Sequence, residues 1–204
     1  MFRSQLNNKI GNLLNYLSTK IPQLGMTKAL KLLYLIDDTS YMRSGVPVTW
    51  LDYKVWEMGP VAEELYNELR YHQTMRLNDE EISLEKFIQT HKKEVNGNES
   101  ILISPKDEYS FDEFSEFEIE LIENITDRFG SYSAAQLIDL LHESQTLWHK
   151  CVTENNLALN FKVYGKKSNH TIDFSELINN DPILQMSAQS AYENLQFQEN
   201  LSNL

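Results

Sequence analysis

The chain has 204 residues, of which 41% are hydrophobic, enough for one globular domain with a full core. Its formal net charge of −12 repels phosphate backbones, so we expect no direct binding to nucleic acid. One cysteine, Cys151, allows no intramolecular disulfide, and no apolar run reaches the roughly eighteen residues of a membrane span, so we expect a cytoplasmic protein with no membrane contact.

Two helices are predicted at the start of the chain. Apolar residues recur at helical spacing over 5–20, and Pro22 and Gly25 end this first helix. The second helix, over 27–43, is apolar on more than half of its circumference, which predicts a central place in the core. Its narrow polar stripe is predicted to consist of Lys28, Lys31 and Asp38.

An aromatic strand and a glycine-proline turn follow the second helix. Residues 53–57 alternate between two faces and predict a short strand. Gly59 and Pro60 predict the start of a helix, with the proline at the first helical position, where its missing N–H costs nothing. Glu63 and Glu64 suit the positive end of that helix. Its inward face is predicted to carry Val61, Leu65, Leu69 and His72.

The middle of the chain is less regular before it becomes helical again. Asn96 and Gly97 indicate a turn, and residues 101–104 predict a short strand. A helix is predicted over 112–129, with one apolar side. The residues of that side are Phe114, Phe117, Leu121, Ile125 and Phe129.

The last third of the chain predicts helices around a second strand pair. Ser133 opens a helix through a capping-box pattern, and Thr146 starts another short helix. Residues 157–164 alternate like a strand that pairs with 171–174, and a last helix starts at Pro182. These elements predict a mainly α fold, a compact multi-helix domain with a small β-hairpin or short sheet. No repeat, low-complexity tract or linker divides the chain, so we expect a single domain.

Asp37 is the least expected residue of the second helix, because it shares a face with Leu30, Leu33 and Tyr34. A carboxylate on an apolar face must find hydrogen-bond donors or stay protonated. One interpretation is an acid held at a binding or catalytic site. The other is a structural tie that accepts hydrogen bonds from a neighbouring turn, such as the one near Gly59. We favour the tie, because buried acids are usually structural partners.

Three aromatic residues, Trp50, Tyr53 and Trp56, cluster before the glycine-proline turn. Tryptophan and tyrosine are frequent at binding hot spots, but they also pack short sheets onto helices. Core packing is favoured for Trp56, and both interpretations stay open for Trp50 and Tyr53. The contact residues predicted for a partner protein are Trp50, Tyr53, Tyr192 and Phe197.

His142 and Trp148 lie on either side of a predicted helix break. No second histidine stands three or four positions from His142, so the usual helical metal pair is absent and we expect no metal. A histidine that ties two helices together is the favoured interpretation. The chain has no G-x-S-x-G, P-loop or glycine-rich dinucleotide motif, so we expect no enzyme and no cofactor. An enzyme with Asp37 and His142 in one cleft is the alternative.

Three segments, taken in order, resemble the Panacea domain of SocA-like antitoxins over about 27–151. The first is KLLYLIDDTSYMRSG, the second is the aromatic strand that leads into WEMGPV, and the third runs from SAAQL through His142 to Trp148. Each segment alone is unspecific, and their order and spacing carry the resemblance. We assign to the scaffold Asp37, Trp56, Gly59, Pro60, His142 and Trp148.

The resemblance implies a role as the antitoxin of a toxin–antitoxin pair, often carried by phages or mobile elements. The implied partner is a cognate protein toxin, neutralised by direct protein–protein binding. One branch of the family delivers its toxin to a AAA+ protease, so a proteolytic adaptor is the alternative function. Residues 157–204 form a C-terminal extension beyond the shared motifs. We expect it to pack on the domain and to carry partner contacts.

Overall fold

A computed structural model describes residues 2–73, 75–77, 80–95 and 97–202. The fold is mainly α, as predicted, and its described strands form three separate two-stranded antiparallel hairpins. The helices are α1 (Phe2–Lys20), α2 (Met26–Ser44), α3 (Glu63–Tyr71), α4 (Glu116–Phe129), α5 (Ala134–Leu141), α6 (Leu147–Glu154), α7 (Leu157–Tyr164) and α8 (Pro182–Ser202). The strands are β1 (Tyr53–Trp56), β2 (Gly59–Ala62), β3 (Met75–Leu77), β4 (Glu80–Ile82), β5 (Ile88–Val95) and β6 (Asn98–Pro105). No helix in these ranges combines the length and the apolar composition that crossing a membrane requires.

Helix α2 lies at the centre of the core, as its apolar circumference predicts. It contacts α4, α5, the β1–β2 hairpin and α8. Helix α1 contributes further fully buried side chains, namely Ile10, Leu13, Leu14 and Leu17. Burial of each large apolar side chain stabilises the fold by about 1.5–3 kcal/mol, so the buried faces of these two helices contribute strongly to the stability of the domain.

The predicted starts of α5 and α6 are confirmed, and in both a side chain caps the helix. Ser133 and Gln136 form the expected capping box of α5, and Thr146 accepts the backbone N–H of His149 at the start of α6. A second capping box at Ser115 starts α4 four residues later than predicted. Of the predicted turn between β5 and β6, Asn96 lies outside the described residues.

The glycine-proline step does not start a helix, contrary to the prediction. Gly59 and Pro60 belong to β2, where Gly59 pairs with Trp56 and Pro60 pairs with Val55. Gly59 has a φ of +98°, which side chains with a Cβ rarely adopt, so this residue allows the tight return of the hairpin. Helix α3 begins only at Glu63. A proline followed by acidic residues favours a helix start, but here the pairing of β2 with β1 determines the structure of Gly59 and Pro60.

Three side chains lie on faces other than those predicted. Lys31 is 1% exposed rather than part of a polar stripe, because the β1–β2 hairpin covers it. His72 is exposed, since it ends α3 in a left-handed conformation with a φ of +53°. Phe117 is 39% exposed because α4 begins at Glu116, and Phe114 packs into the core from the preceding loop.

The segment 157–164 is the helix α7 and not the predicted strand. Its buried residues are Leu157 and Phe161, four positions apart, which is the spacing of one helix face. Leu159 and Val163 are 65% and 68% exposed on the other side. An alternating apolar run fits either structure, and packing against α6 selects the helix.

The segment after α7 pairs with β1 instead of with 157–164. The backbone N–H of Ile172 donates to the carbonyl of Tyr53, and the N–H of Val55 donates to the carbonyl of His170, both at 2.8 Å. Thr171 forms an isolated antiparallel bridge with Lys54. These bonds place residues 170–172 beside β1, next to the loop that follows α2.

Candidate protein-binding groove

The carboxylate of Asp37 is fully buried and surrounded by donors from the chain that follows α2. The backbone N–H groups of Val48 and Thr49 each donate to its Oδ1 atom at 2.8 Å. The hydroxyls of Thr49 and Tyr53 donate to its Oδ2 atom, the latter at 2.7 Å. Burial raises the pKa of Asp37 to about 6, although the donors act in the opposite direction. The arrangement fits a structural tie, but its donors do not come from the turn near Gly59.

A second buried polar group, Lys31, connects α2 to the β1–β2 hairpin. Its Nζ atom donates to the carbonyl of Pro60 at 2.7 Å. A Cβ atom on Gly59 would lie 3.1 Å from the same Nζ, so the hairpin approaches the lysine this closely because residue 59 is glycine. Burial lowers the pKa of Lys31 to about 7.

His142 stacks face to face on Trp148, with ring centroids 3.8 Å apart. The indole Nε1 of Trp148 donates to the carbonyl of Trp56 at 2.8 Å, which joins α6 to β1. Burial lowers the pKa of His142, and the charge of Lys31 acts in the same direction. Asp37 and His142 have separate partners, and within the described part of the chain no acids, histidines and cysteines group into a metal site.

Tyr53 belongs to an aromatic layer beside the Asp37 tie. It is 1% exposed, and its ring lies 5.1 Å from that of Tyr34 and 5.8 Å from that of Phe174. Phe174 also stacks on Tyr41, with ring centroids 5.7 Å apart. Tyr53 is therefore enclosed in the core and is not accessible to a partner, contrary to the prediction.

A groove of about 560 Å³ opens next to this aromatic layer. Its walls are the loop after α2, the 3₁₀ turn Phe174–Ile178 and α8. The lining combines aromatic rings with two exposed carboxylates, and it includes no Lys, Arg or His. We name it the Trp50 groove, and its aromatic and acidic residues are Tyr41, Trp50, Asp52, Asp173, Phe174 and Tyr192.

The structure brings together two of the four predicted contact residues. Trp50 and Tyr192 are far apart in the chain, yet both line the Trp50 groove. Phe197 is also on α8 and is 59% exposed, but it does not line the groove. Tyr53, as described above, is buried.

Sequence reasoning missed the acidic residues of the groove. Asp52 is two positions from Trp50, and this proximity in sequence could have indicated that Asp52 belongs to the same surface. Asp173 and Tyr41 carry no such signal, because only the pairing of 170–172 with β1 brings Asp173 to the loop after α2.

The fold and the groove define a mainly helical domain with an acidic, aromatic surface cleft. A family model described as antitoxin SocA-like, Panacea domain, matches residues 30–149, more than half of the chain. The chain therefore belongs to this family of SocA-like antitoxins. Neither the curated proteins nor the solved structures gave a match. The matched range contains the ties at Lys31, Asp37 and His142, whereas Asp173 and Tyr192 lie beyond it.

Proposed function

We propose that this chain is the antitoxin of a toxin–antitoxin pair and neutralises a cognate toxin by direct protein binding in the cytoplasm. Membership of the SocA-like family supports the antitoxin role. The proposal gives the chain no catalytic activity and assigns its buried Asp37 and His142 to the scaffold. The observation that carries direct binding is the exposed apolar surface of α8.

Helix α8 presents apolar side chains on two different faces. Its inward face includes Leu195, which is 9% exposed. A separate stripe, which we call the α8 stripe, follows helical spacing and stays exposed. Its members are Ile183, Met186, Phe197 and Leu201, with exposed fractions of 78%, 74%, 59% and 51%.

The α8 stripe is held on a fixed support. The hydroxyl of Ser187 donates to the carbonyl of Ser44 at the end of α2, at 2.7 Å. A Cβ atom on Gly45 would lie 2.5 Å from the carbonyl oxygen of Leu184, so the two backbones meet where α2 ends. A preformed apolar stripe suits protein binding, because little ordering is needed when a partner covers it.

The charge of the C-terminal region fits a basic partner. Residues 173–202 contain no Lys, Arg or His. Their acids are Asp173, Glu176, Asp181, Glu193 and Glu199, of which Glu176 forms an ion pair with Lys150 of α6. Such a surface attracts a positively charged toxin and speeds the encounter, most strongly at low salt.

Co-expression with the adjacent open reading frame tests the proposal. We expect the neighbour to stop growth alone and to be tolerated beside this protein. The double variant Ile183→Ser, Phe197→Ser should fail to protect, because it removes the apolar stripe. Met58→Ser is the matched control, since it removes a 49% exposed apolar side chain from the β1–β2 turn. A neighbour that is harmless alone, or that stays toxic beside this protein, would refute the proposal.

The half-life of the toxin separates masking from delivery to a protease. Masking predicts that the toxin persists in cells that make both proteins. A half-life that becomes shorter whenever this chain is present would instead establish the proteolytic adaptor.

A further inference from the structure

The Trp50 groove carries negative charge that no basic lining residue neutralises. Asp52 and Asp173 are exposed in its walls. Burial raises the pKa of nearby Glu64 and the charge of Asp52 acts in the same direction, and burial followed by the charge of Asp173 has the same effect on the pKa of Tyr41. The nearest basic side chain of β1, Lys54, is held by Thr171 with an Nζ–Oγ1 distance of 2.7 Å and does not line the groove.

Aromatic rings face the same space as these carboxylates. Trp50 is half-buried and Tyr192 is 51% exposed, and they line the groove from two different elements, the loop after α2 and α8. Trp50 has a φ of +57°, a left-handed conformation that is uncommon for a bulky residue. The adjacent Asp37 tie to Thr49 holds the backbone that leads into this conformation.

An arginine side chain matches this combination better than other groups. The planar guanidinium stacks on aromatic faces and binds carboxylates with two parallel hydrogen bonds. A lysine ammonium can lie over an aromatic ring, but it is a compact, strongly hydrated charge that cannot stack as a plane or bind a carboxylate with two parallel hydrogen bonds. Anionic groups would be repelled by both carboxylates. A second copy of this chain is disfavoured as the occupant, because it has the same net charge of −12.

We propose that the Trp50 groove binds an arginine side chain on a basic segment of the partner protein. The guanidinium lies between Trp50 and Tyr192 and forms hydrogen bonds with Asp52 and Asp173. The volume of about 560 Å³ is in the range of ligand sites and leaves room for the residues that flank the arginine. The partner's identity as a toxin rests on the proposed function, but recognition of arginine does not.

Nuclear magnetic resonance with N-acetyl-arginine amide tests recognition without the toxin. We expect the probe to shift the indole N–H signal of Trp50, while the uncharged analogue N-acetyl-citrulline amide has at least a tenfold weaker effect. The double variant Asp52→Asn, Asp173→Asn should abolish the response. Asparagine at 173 can still accept the hydrogen bond that Ser175 N–H donates, so the 3₁₀ turn is kept. Equal responses to both probes, or an unchanged response of the double variant, would overturn the proposal.

The toxin provides the second measurement, with a variant of equal charge change as control. Asp52→Asn, Asp173→Asn should weaken toxin binding at least tenfold and reduce its salt dependence. Glu116→Gln, Glu120→Gln removes two exposed acids from α4 and should leave the affinity within twofold. Equal losses in both variants would show a general effect of charge and overturn the groove assignment. A homodimer that dissociates only in the groove variant would identify a second copy as the occupant and also overturn it.

The two proposals fail separately. If arginine shifts Trp50 but the neighbouring gene is harmless, the groove assignment holds and the antitoxin role is wrong. If toxin is neutralised equally well by the groove variant, the antitoxin role holds and the groove assignment is wrong.

Discussion

The part of the chain that matches the family model and the segment that follows it differ in how many large apolar side chains they expose: four in the described part of 30–149, namely Met42, Met58, Tyr71 and Phe117, and seven in the much shorter segment after Leu157. Within residues 30–149, polar groups such as Lys31 and Asp37 are buried and bonded. After Leu157, large apolar side chains are exposed on α7 and α8. They are Leu159, Val163, Ile183, Met186, Tyr192, Phe197 and Leu201.

This difference separates the scaffold from the candidate binding surface. The motif residues that identify the family point inward: Trp56 and Trp148 are 8% and 7% exposed, and Gly59 is covered by Lys31. They fix how α2, the β1–β2 hairpin and α6 fit together. The family match therefore defines a framework, and the surface that we assign to the partner lies mostly outside it.

Replacing Asp37 by Ala should cause the largest loss of stability. The change removes the acceptor of two backbone N–H groups and two hydroxyls, all of them buried. Leaving a buried donor unsatisfied costs about 1–3 kcal/mol, so we expect a loss of about 3 kcal/mol or more in the free energy of unfolding, measured by urea denaturation. The control is Asp52→Asn, a change at an exposed site, which should alter the free energy of unfolding by less than about 0.5 kcal/mol. An unchanged melting temperature together with lost toxin binding would make Asp37 functional instead.

Lys31→Met should remove a pH dependence of stability. The pKa of Lys31 is about 7 in the folded protein against an ordinary value of 10.5, so the unfolded chain binds more protons between these values. The stability of the wild type should therefore rise with pH relative to that of the variant, by at most about 1.4 kcal/mol per pH unit. Urea denaturation between pH 7 and about 9.5 measures the difference. If the wild type and Lys31→Met differ by the same free energy of unfolding at every pH in this range, Lys31 is charged in the folded protein.

Two serine substitutions on α8 should have opposite consequences. Phe197→Ser on the exposed stripe should change the free energy of unfolding by less than about 0.5 kcal/mol and reduce the binding of an apolar dye. Leu195→Ser on the inward face removes a 9% exposed side chain and should cost about 2 kcal/mol or more. A similar loss in both variants would show that the α8 stripe packs in the core, which would remove the contrast between the two regions.

The sequence predicted the helices well where the signal was local. Apolar spacing gave α1, α2 and α8, and the Ser133 capping box gave the start of α5. Local signals failed where two structures fit the same pattern. Gly59 and Pro60 fit both a helix start and a hairpin, and 157–164 fits both a strand and a helix. In each case, packing against another element decided the outcome.

The candidate site was predictable only in part, because its residues come from three distant segments. Trp50 and Tyr192 were predicted as contacts from their chemistry alone, and the structure places both at one groove. Tyr53 has the same chemistry but is buried, because its hydroxyl donates to Asp37 and its ring packs on Phe174. The residue type shows that a side chain is able to bind a partner. Whether the side chain is accessible depends on burial, which is set by the whole fold.

Composition and spacing along the chain were enough to predict the central apolar helix, the family and an acidic surface. Which polar residues are enclosed and which aromatic residues stay accessible depends on tertiary contacts. Pairing of 170–172 with β1 brings Asp173 to the Trp50 loop, and contact between α8 and the end of α2 brings Tyr192 there. The physical reason is that exposure and proximity arise from contacts between segments distant in sequence, which no local pattern encodes.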